Sequence, residues 1–150
     1  MQIYKTRYRE AEVLVKDYDG AYDNRIHIMM GPTQSMTCTP AMLKETRNTA
    51  DRLGVGITIH VAEDLAEVEG CIRLYGKTPV ELLYDTGMLG EDVVLAHCVF
   101  ISGHSQVFIR DTVSQNSLDK TRPSIYRHAS LIFSTLPRPK PAVPHRGFSH

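Results

Sequence analysis

The 150-residue chain predicts an α/β fold built on a parallel sheet, on three observations. Stripes with a repeat of three to four residues alternate with short β-branched runs. Successive strand ends lie about 30 residues apart, the length of a right-handed βαβ crossover rather than of a hairpin. The clearest run, VGITIHVA at 55–62, is almost uncharged, as a parallel strand covered on both faces must be.

The elements follow in order. Tyr4, Tyr8, Ala11, Val15 and Tyr18 lay one apolar stripe along a helix over 2–18, which Asp19 and Gly20 end. RIHIMM at 25–30 reads as a buried strand stopped by Gly31-Pro32. Thr39-Pro40 supplies an N-cap with proline at the first helical position; Met42, Leu43, Thr46, Ala50 and Leu53 give the inner face, and Gly54 closes the helix. After the strand at 55–62, Asp64 with Glu67 reads as a capping box opening a helix to Tyr75, ended by Gly76. Thr78-Pro79-Val80-Glu81 is a stronger box, opening a short helix that stops at Gly87. VVLA at 93–96 is the third strand and runs into His97.

Composition narrows the function classes. Apolar residues make up 42% and charged residues 23%, with 17 basic against 17 acidic residues, the profile of an ordinary globular chain. No nucleic-acid or membrane partner is expected, no run approaches a transmembrane span, and the N-terminal stretch has no apolar secretory core. The expected location is cytoplasmic. Cys38, Cys71 and Cys98 form no CxxC pair and read as reduced packing residues. Charge divides the chain: residues 1–103 carry 10 basic and 15 acidic side chains, residues 104–150 carry 7 and 2. Five of the eight prolines, from Pro123 onward, also lie in the second part. We therefore expect two regions, 1–103 folded and 104–150 irregular and poorly ordered.

Chemistry-bearing residues gather at strand ends. In α/β folds ligands collect at the carboxyl ends of the strands, where His60 and His97 stand, with Glu63 in the turn after the first of them. Two imidazoles and a carboxylate suit zinc or iron, and equally acid/base work. Spacing alone leaves a third reading open, of hydrogen-bonded structural histidines and a helix-start glutamate.

The linked motifs His60–Glu63 (H-x-x-E), Gly76–Glu81 (G-x-x-P-V-E), Gly87–Leu89 and Leu95–Cys98 (L-A-H-C) resemble the middle of the amidohydrolase superfamily, in particular its deaminase and chlorohydrolase branch of triazine hydrolases and guanine and cytosine deaminases. The resemblance covers about 25–102. It implies a partial (β/α)8 TIM barrel, with 1–103 supplying the fourth to sixth βα units. It also implies Zn2+ or Fe2+ as cofactor, a small heterocyclic substrate, and hydrolysis of C–N or C–Cl bonds by activated water. His60 would be a metal ligand, Glu63 the substrate-contacting proton shuttle, and His97 a partner of the water or of a second metal. The family's first-strand H-x-H does not occur here, and Asp111 and Asp119 stand in no convincing strand context for its eighth-strand aspartate. The chain thus reads as a central fragment, inactive alone; the rival is a non-catalytic remnant or interaction module. Homo-oligomerisation stays open.

Other candidates read as decoys. GCIRLYGKT at 70–78 has five residues between its glycines where a P-loop needs four. His27 reads as a packed or edge residue, and His104, His128, His145 and His150 have no metal-ligand spacing.

Overall fold

The computed structural model describes residues 2–116; the expectations for the proline-rich stretch, Asp119, His128, His145 and His150 lie outside the described residues. The order is α1 (Gln2–Tyr18), α2 (Ala21–Asn24), β1 (Met29–Met30), α3 (Pro40–Leu53), β2 (Gly56–Val61), α4 (Leu65–Tyr75), α5 (Pro79–Asp85), β3 (Val93–His97) and α6 (Gly103–Asn116). The strands form one sheet in the order β1-β2-β3, every pair parallel, as the alternation of strands and helices predicts.

The helix ends form where the sequence places them. The Thr39 hydroxyl accepts the Met42 N–H at 3.2 Å, and Gly54 leaves α3 at φ 70°, a left-handed position that suits glycine. At α5 the capping box is reciprocal: Thr78 accepts the Glu81 N–H, and the Glu81 carboxylate accepts the Thr78 N–H at 2.8 Å.

One face of the sheet is buried and the other open. Ile57, Ile59 and Val61 on β2 share a core with Leu43 and Ala50 of α3, Cys71 of α4, and Val80 and Leu83 of α5. The intervening Thr58 and His60, and Val94 beside Thr58 on β3, are exposed. Each full burial of an Ile or Leu contributes about 1.5–3 kcal/mol. On the amino-terminal side, the half-buried Arg47 guanidinium bridges α3 to the turn before β3 through Asp92, at 2.7 Å. Burial disfavours its charge, but the bonds and charges of Asp92 and then Asp51 outweigh this and raise its pKa.

Three expectations are corrected. The strand at 25–30 shrinks to two residues, because the preceding turn takes its backbone groups: Gly20 N–H donates to the Ile26 carbonyl at 2.8 Å, and Ile28 N–H to the Asp19 carboxylate at 2.8 Å. That turn holds an unforeseen left-handed run, Tyr22, Asp23 and Asn24, with φ of 55°, 60° and 62°. The capping box at α4 is half formed: Asp64 accepts the Glu67 N–H at 2.7 Å, but Glu67 turns inward instead of back to Asp64. Finally, residues 103–116 are helical rather than irregular. Ser102 Oγ accepts the Ser105 N–H at 3.1 Å, Ile109 is buried, and Phe108 lies 4.6 Å from the Tyr84 ring. The proline argument applies only from Pro123 onward.

Two outcomes follow from this packing. Ile59→Ala should destabilise the chain by about 2–5 kcal/mol in denaturant titration, whereas Leu65→Ala, at a side chain 57% exposed, should change it by under about 0.5 kcal/mol. The Glu81 carboxyl is held below its ordinary value first by the Thr78 N–H and then by the Thr78 hydroxyl. A lowered folded value means stabilisation that is full at neutral pH and lost as pH falls through it. Thr78→Ala should thus cost about 1 kcal/mol at pH 7 and less at pH 3, read from melting curves at both.

Candidate metal centre

The carboxyl ends of β2 and β3 bring three side chains together. The register sets His60 beside Ala96 and Val61 beside His97. Val61 points into the helix-side core, so strict alternation would turn His97 there too. It does not: His97 and Cys98 take positive φ of 73° and 51°, and the His97 ring lies over His60, with Nε2 2.9 Å from His60 Nδ1 and ring centroids 5.0 Å apart. Left-handed backbone at non-glycine residues is costly, and it concentrates where geometry serves a site. Ala62, with φ 50°, likewise turns the chain out of β2 toward Glu63, whose Oε2 stands 3.7 Å from His97 Nε2.

The floor of the site is stitched by main chain. Cys98 N–H donates to the Val61 carbonyl at 2.9 Å, and Val99 and Phe100 N–H both donate to the Ala62 carbonyl, at 3.1 and 3.0 Å. His60 N–H donates to Thr33 O at 3.3 Å, which joins the β1–α3 loop to the same end of the sheet.

One donor atom each from His60, Glu63 and His97 lie within 4.8 Å of one another, and all three residues are exposed on the open face. Two ligands about 2.05 Å from a zinc ion and roughly 90–110° apart are separated by about 2.9–3.4 Å. The 2.9 Å and 3.7 Å spacings, both measured from His97 Nε2, bracket that range, and the nitrogen and oxygen donors suit a borderline divalent ion, so His60 with His97 could share one and Glu63 stands near it. Without a metal, the histidine contact is an imidazole–imidazole hydrogen bond. Among the described residues no second such group occurs. His27 faces Asp19 at 3.9 Å, and His104 lies edge-on to Phe108 on α6.

Glu67 is the residue that the sequence reading missed. Its side chain is fully buried, and its carboxylate accepts the Glu63 N–H at 3.0 Å, the Gln34 side-chain amide at 3.3 Å and the Ser35 hydroxyl. The D-x-x-E pattern marks it as a helix-start residue; only the fold places the β1–α3 loop within its reach. At Gly70, one turn further along α4, a Cβ would stand 2.1 Å from Met36 Sδ, so glycine there lets that loop approach closely.

A parallel sheet with chemistry-bearing side chains at the carboxyl ends of adjacent strands is the arrangement shared by (β/α) barrel and other α/β enzyme folds. The sequence model of the amidohydrolase family matches residues 3–142, and the chain belongs to that family. It is 47% identical over 93 residues to a 5-methylthioadenosine/S-adenosylhomocysteine deaminase of Desulfitobacterium hafniense, covering 62% of this chain and 22% of that protein. It is 43% identical over 97 residues to a 5'-deoxyadenosine deaminase of Methanosarcina barkeri, covering 65% and 22%. The chain thus spans under a quarter of the length of these relatives. Two solved structures share the fold. A mutant atrazine chlorohydrolase from Arthrobacter aurescens, complexed with zinc and atraton, superposes with a TM-score of 0.67 at 20% identity over 73% of this chain and 24% of that one. An adenosine deaminase from Xanthomonas campestris with bound zinc gives 0.65 at 16% identity over 83% and 30%. No described helix is long and apolar enough to cross a membrane.

The thiols near the site are poor nucleophiles. Burial pushes Cys98 up to about 11, with the Glu67 charge adding to it; burial also raises Cys71, against the lowering effect of its Ser35 hydrogen bond. In the native chain at pH 7.5, iodoacetamide should label Cys71 and Cys98 at least 10-fold more slowly than in denaturant, read by mass spectrometry.

Proposed function

We propose that this chain is the segment of a metal-dependent aminohydrolase that carries His60, Glu63 and His97, acting on an amino-substituted nitrogen heterocycle of the adenosine type. The convergence of these three side chains at the carboxyl ends of β2 and β3 carries the proposal, and the deaminase relatives at 43–47% identity support the substrate class. Hydrolysis exchanges the C–NH2 bond for C–O: water adds to the amino-bearing carbon and ammonia leaves. A divalent ion, zinc or iron, supplies Lewis-acid activation of that water when bound. His60 is the imidazole ligand. Glu63 takes one proton from the water at its carboxylate and passes it to a ring nitrogen, then carries the proton of the added hydroxyl to the amino nitrogen, which leaves as ammonia with the C–N electron pair. His97 Nε2 orients the water against the carbon. The C–Cl alternative uses the same attack with chloride leaving; the chlorohydrolase likeness is one of fold alone, so deamination is the reading we adopt.

With Glu63 engaged in proton transfer, the described residues leave His60 and at most His97 as metal ligands, both exposed, and the sequence has no H-x-H. We therefore propose that the 150-residue chain is inactive by itself, since catalytic zinc generally takes three protein ligands and an enclosed site.

Two experiments test these statements. Residues 25–102 grafted into the Desulfitobacterium deaminase should keep ammonia release from methylthioadenosine within about 10-fold, and Glu63→Gln in the graft should cut kcat by at least about 100-fold; a dead graft that folds and binds zinc would overturn the deaminase reading. The chain alone should bind Zn2+ more weakly than about 1 µM by calorimetry, without turnover. Submicromolar, stoichiometric binding with turnover abolished by His60→Ala would overturn the claim of inactivity.

A further inference from the structure

The mechanism above leaves one buried acid without a role. Glu67 is fully buried, yet among the described residues no cation pairs with it, and its carboxylate is satisfied by three donors from two different loops. One oxygen accepts from the Glu63 N–H and the Gln34 amide; the other accepts from the Ser35 hydroxyl. Burying a carboxylate costs several kcal/mol unless such bonds offset it. An apolar residue at this position of α4 would fill the same volume without that cost.

What the acid gains is geometry. Glu63 precedes the N-cap Asp64, so its N–H lies outside the helix and outside the β2–β3 ladder. Its bond to Glu67 fixes the backbone from which the Glu63 side chain reaches toward His97. The same carboxylate holds Gln34 and Ser35, in the loop whose Thr33 carbonyl accepts the His60 N–H and whose Gln34 forms a bridge to His60. Both His60 and Glu63 are therefore tied, through backbone, to one side chain that touches neither of their functional ends.

We propose that Glu67 is a positioning residue for the site: its buried carboxylate clamps the β1–α3 loop to the β2–α4 turn and thereby fixes where the His60 imidazole and the Glu63 carboxylate stand. The importance of that position rests on the functional reading above, but the clamp itself does not. Acceptor placement, not charge, does the holding. With Glu67→Gln, the amide oxygen accepts from Glu63 and Gln34 while its NH2 donates to Ser35, whose hydroxyl turns toward Cys71 Sγ, 3.7 Å away. Glu67→Leu keeps the bulk and removes every acceptor.

The test uses the full chain and two readouts. In hydrogen exchange by NMR, Glu67→Leu should speed exchange of the Glu63 amide by at least about 10-fold while the amides of Ile59 and Leu95 change by less than about 3-fold; Glu67→Gln should match the parent within about 3-fold. In Co2+ titrations followed by absorption, Glu67→Leu should weaken binding by about 10–100-fold, and Glu67→Gln should leave affinity and band shape in place. Should Glu67→Leu fail to fold, Ser35→Ala decides: it unties the loop without adding apolar bulk, and the His60 amide should then exchange at least about 5-fold faster. Unchanged Glu63 exchange in Glu67→Leu, exchange rising alike throughout the sheet, or a Glu67→Gln variant as impaired as Glu67→Leu would each overturn the proposal. If the parent binds no Co2+, the metal reading of the site falls, and the Glu63 exchange result still decides the clamp.

Discussion

Parallel pairing of β2 with β3 is the constraint on which the rest of this structure depends. Two parallel strands cannot be joined by a tight turn, so the chain must leave the carboxyl end of β2, cross through α4 and α5, and return to the amino end of β3. The register that results pairs Ile57 with Val93 and runs in step to Val61 and His97. Both strands therefore end at the same level, and residues separated by 37 positions meet without any long side chain having to reach. The capped helices serve this geometry. Thr78 and Glu81 start α5, and Gly76 ends α4 in a left-handed turn, so the crossover is short and covers one face of the sheet.

That one-sided cover decides what the site is exposed to. Ile57, Ile59 and Val61 face the helices, whereas Thr58 and His60 face outward. In parallel sheets both faces are ordinarily covered; in a barrel the second face is the packed interior and its rim is the active site. The exposure of His60, Glu63 and His97 is therefore what barrel geometry gives when a few of its strands are viewed alone. The chain's share of its relatives' length, 22% in the two described, agrees with this.

Much of this was legible in the residues. The limits of α1, the Thr39 and Thr78 caps, the glycine stops and the strand leading to His97 all follow from local rules, in which a side chain acts on backbone within four residues of itself. The parallel sheet followed from the spacing of strand ends. What escaped was non-local or depended on backbone handedness. The reduction of β1 to Met29–Met30 depends on a left-handed run at Tyr22–Asn24, which continues the turn from Gly20 through three residues none of which is glycine. The inward turn of Glu67 depends on a loop more than 30 positions earlier. The aim of His97 depends on a positive φ that alternation cannot foresee. The helix α6 was hidden by charge and proline counts taken over 104–150 as a whole, although its first prolines come after its last turn.

The stitch beneath the site has a consequence for how such a surface can diversify. The Ala62 carbonyl receives the N–H groups of Val99 and Phe100, and Val61 receives that of Cys98; every bond is main chain to main chain. Such a seam does not depend on which side chains hang from it, proline excepted. Val99 and Phe100, both exposed, are thus free to be exchanged for residues of other size and polarity while the seam beneath His97 stays as it is. A lineage could change the surface at these two positions without re-solving the placement of the His60, Glu63 and His97 side chains beside them.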